Sequence, residues 1–190
     1  MNNIINITTP LDKDVLTSLR SGDRVLLTGT VFTARDAAHK RFMALIDKNE
    51  PLPLSLAGQI LYYCGPTPTP PGHCAGSAGP TTSSRMDRYA PALLRATGLA
   101  AMIGKGARGG AVIEAIRERG AAYFAATGGA GALISSRVRS SEVVCYADLG
   151  PEAVYRFEVE SMPLIVAVDA LGGDLYKSGP LEYLESARKK

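Results

Sequence analysis

An α/β domain built on a mixed sheet is what this sequence predicts, and three observations carry that expectation. Short β-rich apolar runs alternate with stretches of helical spacing from residue 24 to residue 136. From Glu142 onward the pattern turns to strands alone. Gly and Pro, 20 and 12 of 190 residues, punctuate the chain without a collagen-like period, so loops and tight turns are numerous. The length suits one domain over 1–190, with 181–190 expected as a polar tail.

The elements follow in order. Residues 24–30 (RVLLTGT) form a strand, and 33–45 switch to helical spacing with Ala38, Phe42, Leu45 and Ile46 at i, i+4, i+7 and i+8. After a Pro-broken connection, 59–64 (QILYYC) is the next strand. Residues 65–84 are a loop dense in Gly, Pro, Ser and Thr, and a loop of that length inside a domain is usually functional. A helix is expected from near Ser84 to about Ala96, a strand at 99–103, a helix at 110–119, a strand at 121–126 and a short helix at 129–136. Strands then occupy 143–146, 154–159 and 164–169, and a turn at Gly172 and Gly173 leads to Leu175 and Tyr176.

Composition excludes several classes. Apolar residues are 46% and charged residues 21%, too apolar for a disordered chain. Of the net charge of +3, all is accounted for by Arg188, Lys189 and Lys190, which leaves no nucleic-acid footprint. No apolar run is long enough to span a bilayer and the first ten residues carry no basic cluster, so neither membrane span nor leader is expected and a cytoplasmic location is. Cys64, Cys74 and Cys145 are odd in number and widely spaced, which fits reduced thiols and neither a disulfide framework nor a metal knuckle. With His39 and His73 as the only histidines, this chain has no metal site of its own to offer.

Chemistry-bearing residues gather where cations meet helix starts. In TARDAAH (33–39), Thr33 can cap the helix and Asp36 completes a short-acid capping box. Arg35 lies in the first turn, where the positive helix end disfavours a cation by about 0.3–1 kcal/mol. An arginine there faces an anion, either Asp36 or another acid of the chain, or a ligand. His39, one turn on, can pair with Asp36 or sit on the helix surface. GSAGPTTSSRMD (76–87) repeats the arrangement, with Ser84 as cap candidate, Arg85 in the first turn and Asp87 three residues after Ser84. The N–H groups of Thr81, Thr82, Ser83 and Ser84 can form an anion-binding nest. Lys105, between Gly104 and Gly106 at a strand end, is the third cation. Gly104, Gly106 and Gly109 spell GxGxxG, but the next strand lacks the ribose-binding acid, and no Ser or Thr follows Lys105 as in a P-loop.

Two arginines and a lysine beside threonine hydroxyls suit a small substrate carrying two carboxylates. They would also stabilise the enolate-like charge formed when a proton leaves a carbon beside a carboxylate. What removes a hydroxide must then be supplied from outside this chain.

At this point the residues resemble a family. TARDAAHKR (33–41), GPTPTPPG (65–72), GSAGPTTSSRMD (76–87), MIGKG (102–106), YFAATGGAGAL (123–133) and DLGPEAVYRFEVE (148–160) resemble, in order, the β subunit or C-terminal domain of class I fumarate hydratase. The related L(+)-tartrate dehydratase β subunit has a helix start more like CRDVCH, and Ala34, Ala37 and Ala38 here favour fumarase. The resemblance implies a swivelling β/β/α domain and a partner α subunit carrying a [4Fe–4S] cluster, in an α2β2 assembly. It implies that Arg35, Arg85 and Lys105 hold the dicarboxylate, that Thr81 serves as base or proton path near C3, and that Asp36, His39 and Thr82 support them. No metal ligand is implied in this chain. The activity implied is the reversible hydration of fumarate to (S)-malate. A tartrate or other dicarboxylate hydro-lyase subunit is the alternative, and a non-catalytic carboxylate-binding or assembly module is the alternative of another class.

Overall fold

The apolar runs become strands whose alternate residues feed two separate cores. In the computed structural model, which describes residues 4–188, the strands are β1 (Ile4–Thr8), β2 (Arg24–Thr33), β3 (Ile60–Tyr62), β4 (Ala101–Gly104), β5 (Ala122–Ala125), β6 (Val138–Cys145) and β7 (Val154–Val168). The helices are α1 (Lys13–Ser18), α2 (Asp36–Asp47), α3 (Ala90–Thr97), α4 (Gly110–Arg119), α5 (Gly131–Ser135) and α6 (Leu175–Arg188). The strands form one mixed sheet in the order β1-β2-β3-β4-β5-β7-β6, so the predicted fold class holds. β1 to β5 run parallel, while β7 is antiparallel to β2, β5 and β6. Because β7 also pairs along β2 from Arg24↔Ile165 to Phe32↔Arg156, the ladder β2-β3-β4-β5-β7 closes on itself.

One core contains Leu27, Ile60, Tyr62, Ile103, Phe124, Phe157 and Val166. The residues between them in sequence, Leu61, Tyr63, Met102 and Tyr123, join the other core with Phe42 of α2, Leu93 and Leu94 of α3 and Ile116 of α4. A strand buried on both faces reads as an unbroken apolar run, which is why 60–64 is so apolar. Each large side chain so buried contributes roughly 1.5–3 kcal/mol. α4 has its sequence-derived bounds, ending where Gly120 adopts a left-handed φ of 64°. Among the described residues no helix is long and apolar enough to cross a membrane.

Several local expectations differ. β1 and α1 were not anticipated; α1 is short, and Asp12 caps it by accepting from Val15 N at 2.8 Å. The helix expected from Ser84 is a 3₁₀ turn, Ser83–Met86, followed by α3 with a proline in its first turn. The strands expected at 154–159 and 164–169 are one, because β7 continues through Ser161 (φ 51°) and Pro163, whose register with Leu26 is kept. Beyond Tyr176 the chain is helical: α6 fills most of the segment expected as a polar tail, and Leu181, Tyr183 and Leu184 are exposed on it. Lys189 and Lys190 lie outside the described residues.

Candidate functional site

Parallel strands deliver their following loops to one rim, and β2, β3 and β4 deliver Arg35, Gly65 and Lys105 there. Arg35 is the N-cap of α2 rather than a first-turn residue, and its side chain makes no capping bond. Thr33 ends β2, where its Oγ1 accepts from Tyr155 N at 3.1 Å, so it does not cap the helix. The cap comes from elsewhere: Glu152 Oε2 accepts from Ala37 N at 2.9 Å, while its Oε1 lies 3.5 Å from Arg35 Nη2. A Cβ on Gly65 would lie 2.7 Å from Arg35 Nη1 and 2.9 Å from the Pro151 carbonyl oxygen, so a glycine lets the guanidinium sit against β3's exit.

Asp36 does not complete a capping box. It takes Arg85 in a two-point ion pair, with Arg85 Nε donating to Oδ1 at 3.3 Å and Nη2 lying 2.8 Å from Oδ2. The two arginines therefore stand beside each other through neighbouring residues of α2. The nest expected at 81–84 does not form as four free donors, because two of them, Thr81 N–H and Ser83 N–H, are spent at the strand ends. Thr81 N donates to the Tyr63 carbonyl at 2.6 Å and Ser83 N to the Lys105 carbonyl at 2.8 Å, while the Thr81 carbonyl accepts from Lys105 N at 3.3 Å. The segment instead inserts between the ends of β3 and β4, with Thr82 bridged to Lys105. This brings Thr81, Thr82, Arg85 and Lys105 together. Thr81 is half-buried, Thr82 exposed and Lys105 half-buried, and Lys105 forms no ion pair among the described residues. Its Nζ is about 4.0 Å from where a Cβ on Gly128 would stand, at the loop after β5.

His39 is neither on the helix surface nor paired with Asp36. It is fully buried, its Nδ1 is 2.8 Å from the Arg35 carbonyl oxygen, and its ring stands over Tyr89 and edge-on to Tyr63. Burial brings its pKa down to about 4, so the ring is neutral at pH 7 and Nδ1–H donates, holding the backbone of Arg35. Nε2 has no partner among the described residues.

Sequence reading missed Arg108. Its side chain is fully buried, donates to Asp87 Oδ1 at 2.7 Å and lies over the rings of Tyr63 and Tyr123. Asp87 also accepts from Gly109 N at 2.7 Å, joining the 3₁₀ turn to the start of α4. Tyr123 shares a 2.8 Å hydrogen bond with Ser83 Oγ and donates to the Gly106 carbonyl at 2.9 Å. The backbone around Ser83 and Gly106 is thus fixed by buried polar groups. A cleft lined by Pro66, Pro68, Ala75, Ser141, Pro151 and Tyr155 opens alongside.

The cysteines do not fit an iron–sulfur cluster. Cys64 is buried with its pKa pushed up to about 12, Cys145 is half-buried with its pKa pushed up to about 11, and Cys74 is exposed in the 65–84 loop. Among the described residues no three His, Cys, Asp or Glu side chains converge as metal ligands.

Comparison with known proteins adds the following. The family model described as the fumarase C-terminus matches residues 1–179. Fumarate hydratase 2 of Leishmania major is 35% identical over 175 residues, 90% of this chain and 31% of that protein. The anaerobic class I fumarate hydratase of Escherichia coli K12 is 36% identical over 177 residues, 91% of this chain and 32% of that protein. A Methanocaldococcus jannaschii protein, a candidate L(+)-tartrate dehydratase subunit beta by its name, is 37% identical over 172 residues and 88% of each chain is covered. This chain thus spans about a third of the length of those fumarate hydratases and most of the length of the tartrate dehydratase relative.

Proposed function

The chain belongs to the fumarase C-terminus family, and from that premise we propose that it is the β-type subunit of an iron–sulfur hydro-lyase that hydrates fumarate reversibly to (S)-malate. In this reading Arg35, Arg85 and Lys105 hold the two carboxylates and Thr81 handles the proton at C3. Asp36, His39 and Thr82 keep those groups in place. The [4Fe–4S] cluster, with its Lewis acidity, belongs to a partner α subunit in an α2β2 assembly.

One observation carries the reading: three cations and a threonine, from three separate segments of sequence, share one rim, where Arg85 pairs with Asp36 next to Arg35 and Thr81 is hydrogen-bonded to Lys105 through the backbone. Arg85 uses its Nε and Nη2 on Asp36, which fixes the plane of the fork and leaves Nη1 for a ligand. Arg35 is held more loosely, by one contact of its Nη2 with Glu152 Oε1 at 3.5 Å, and its Nε has no partner among the described residues. Lys105, with no counter-ion among the described residues, is the cation that a dianion would neutralise. When the C3 proton leaves, charge flows into the neighbouring carboxylate, and fixed cations there stabilise it without rearranging. Thr81 has its backbone N–H and carbonyl bound to β3 and Lys105, so its hydroxyl is carried on a fixed point beside the lysine.

A second reading, a β subunit acting on tartrate, is favoured by the length match with the Methanocaldococcus jannaschii relative. Both are tested by co-expression with a cluster-bearing partner, anaerobic reconstitution with iron and sulfide, and parallel assays of fumarate hydration and tartrate dehydration. Malate formation as the faster reaction is expected. Faster tartrate turnover selects the second reading, and malate binding without turnover of either compound would make the chain a non-catalytic carboxylate-binding module.

A further inference from the structure

Gly106, the residue after Lys105, is held through the peptide groups on both its sides. Gly106 adopts a φ of 84°, and since glycine takes either sign of φ with little preference, its surroundings must select this one. Two tyrosine hydroxyls do so. Tyr123, buried in the sheet, donates to the Gly106 carbonyl at 2.9 Å, and Gly106 N–H donates to Tyr176 Oη at 3.0 Å. Tyr176 arrives from the first turn of α6, seventy residues away in sequence.

That first turn is itself anchored. Asp174 Oδ1 accepts from Tyr176 N at 3.0 Å, and Val168 at the end of β7 bridges to Asp174. Asp169, 3% exposed, accepts from the backbone of Ser21, Leu171 and Gly173 and so fixes the turn before it. α6 contains no buried residue, so it adds little to either core. Resting on the function proposed above, we infer that Tyr176 is a positioning residue for Lys105, setting the backbone direction from which the lysine reaches a substrate carboxylate. The Lys105–Gly106 peptide is therefore gripped at both of its polar groups, its carbonyl accepting from Ser83 N and its N–H donating to Tyr176, and Tyr176 is the hold that comes from outside the 81–83 segment.

The test is Tyr176→Phe in the full chain, read in two ways. Amide exchange at Gly106, followed by NMR on the chain alone, should become faster. In the complex reconstituted with its cluster-bearing partner, KM for (S)-malate should rise roughly fivefold, the equivalent of one lost hydrogen bond, with kcat within about twofold of wild type. Adding Tyr176→Phe to Lys105→Met should raise KM no further, because the tyrosine acts through the lysine. Unchanged exchange, an unchanged KM, or full additivity in the double variant overturns the inference. If Lys105→Met itself leaves KM at the wild-type value, the carboxylate site and this inference fall together. A raised KM for Lys105→Met beside an unmoved Tyr176→Phe overturns the inference alone.

Discussion

Lowering the pH below 6.5 is expected to cost this protein stability through one side chain, His39. The ring is fully buried against Phe42, Tyr63 and Tyr89, and its Nδ1 faces the Arg35 carbonyl. Burial is the main reason its pKa falls to about 4; the Arg35 carbonyl opposes that fall, the nearby Arg108 charge adds to it and Asp36 opposes it. In the unfolded chain the group titrates near 6.5. Above pH 6.5 neither state binds the proton and pH has no effect through this residue. Between 6.5 and 4 the unfolded chain binds a proton that the native chain refuses, so stability falls as pH falls, by about 1.4 kcal/mol per pH unit. The accumulated loss reaches about 3 kcal/mol at pH 4, a large part of an ordinary domain's stability of roughly 5–15 kcal/mol. Urea unfolding of wild type and His39→Asn at pH 7.5, 6.5, 5.5 and 4.5 measures it. Asn can still donate to the Arg35 carbonyl but does not titrate. The variant should begin less stable through lost packing, and the gap should narrow by about 2–3 kcal/mol between pH 7.5 and 4.5. Carboxylates titrate alike in both proteins, so a gap that stays constant refutes the argument.

Arg85→Lys should fold as wild type but lose at least about tenfold in kcat/KM, because an ammonium cannot reproduce a two-point guanidinium contact; a loss under about threefold, less than ~1 kcal/mol, would reduce Arg85 to a surface partner of Asp36. Thr81→Ala should leave the melting temperature nearly unchanged, since the Thr81 contacts seen here are made by its backbone, while kcat falls by about 10²–10⁴ as for a lost proton-transfer group. Exchange of the malate C3 hydrogen with deuterated solvent at the wild-type rate would rule that role out. Gly104→Ala should lower stability by about 1–3 kcal/mol, because a Cβ there overlaps Ser83 Oγ and comes within 3.0 Å of Tyr63 Cδ2; a thermal transition matching wild type would show that the Ser83 turn yields freely.

What could be read from the sequence was whatever local chemistry decides. The helix at 110–119 was found to the residue because Val112, Ala115 and Ile116 recur on one face and Gly120 stops it. Arg35 and Arg85 stood out because each was expected in the first turn of a helix, where a cation is disfavoured, and Lys105 because glycines flank it at a strand end. Their partners were not legible. Glu152 caps Ala37 from 115 residues away and Asp36 reaches Arg85 across 49, separations that no window of helical spacing samples. The nest at 81–84 failed for a related reason, since a loop that inserts between two strand ends spends alternate N–H groups, those of Thr81 and Ser83, on them. Arg108 was overlooked because a charged residue in a Gly-rich stretch reads as exposed, whereas here two tyrosine rings and Asp87 enclose it.

Closure of the β2-β3-β4-β5-β7 ladder also determines how the rim responds to force. Each strand in it has hydrogen-bonded neighbours on both sides, so the rim behaves as a hoop: pulling on one point loads the whole circumference, and opening it means rupturing a ladder rather than flexing one. Compliance is left to what hangs from the hoop, the 65–79 loop, the loop after β5 and α6 beyond its anchored first turn. On the proposed function, a dianion would therefore meet cations whose Cα positions are set before it arrives. Its capture orders side-chain torsions, at about 0.5–1.5 kcal/mol for each side chain immobilised, where freezing a slack loop would cost about 1–2 kcal/mol for every residue in it.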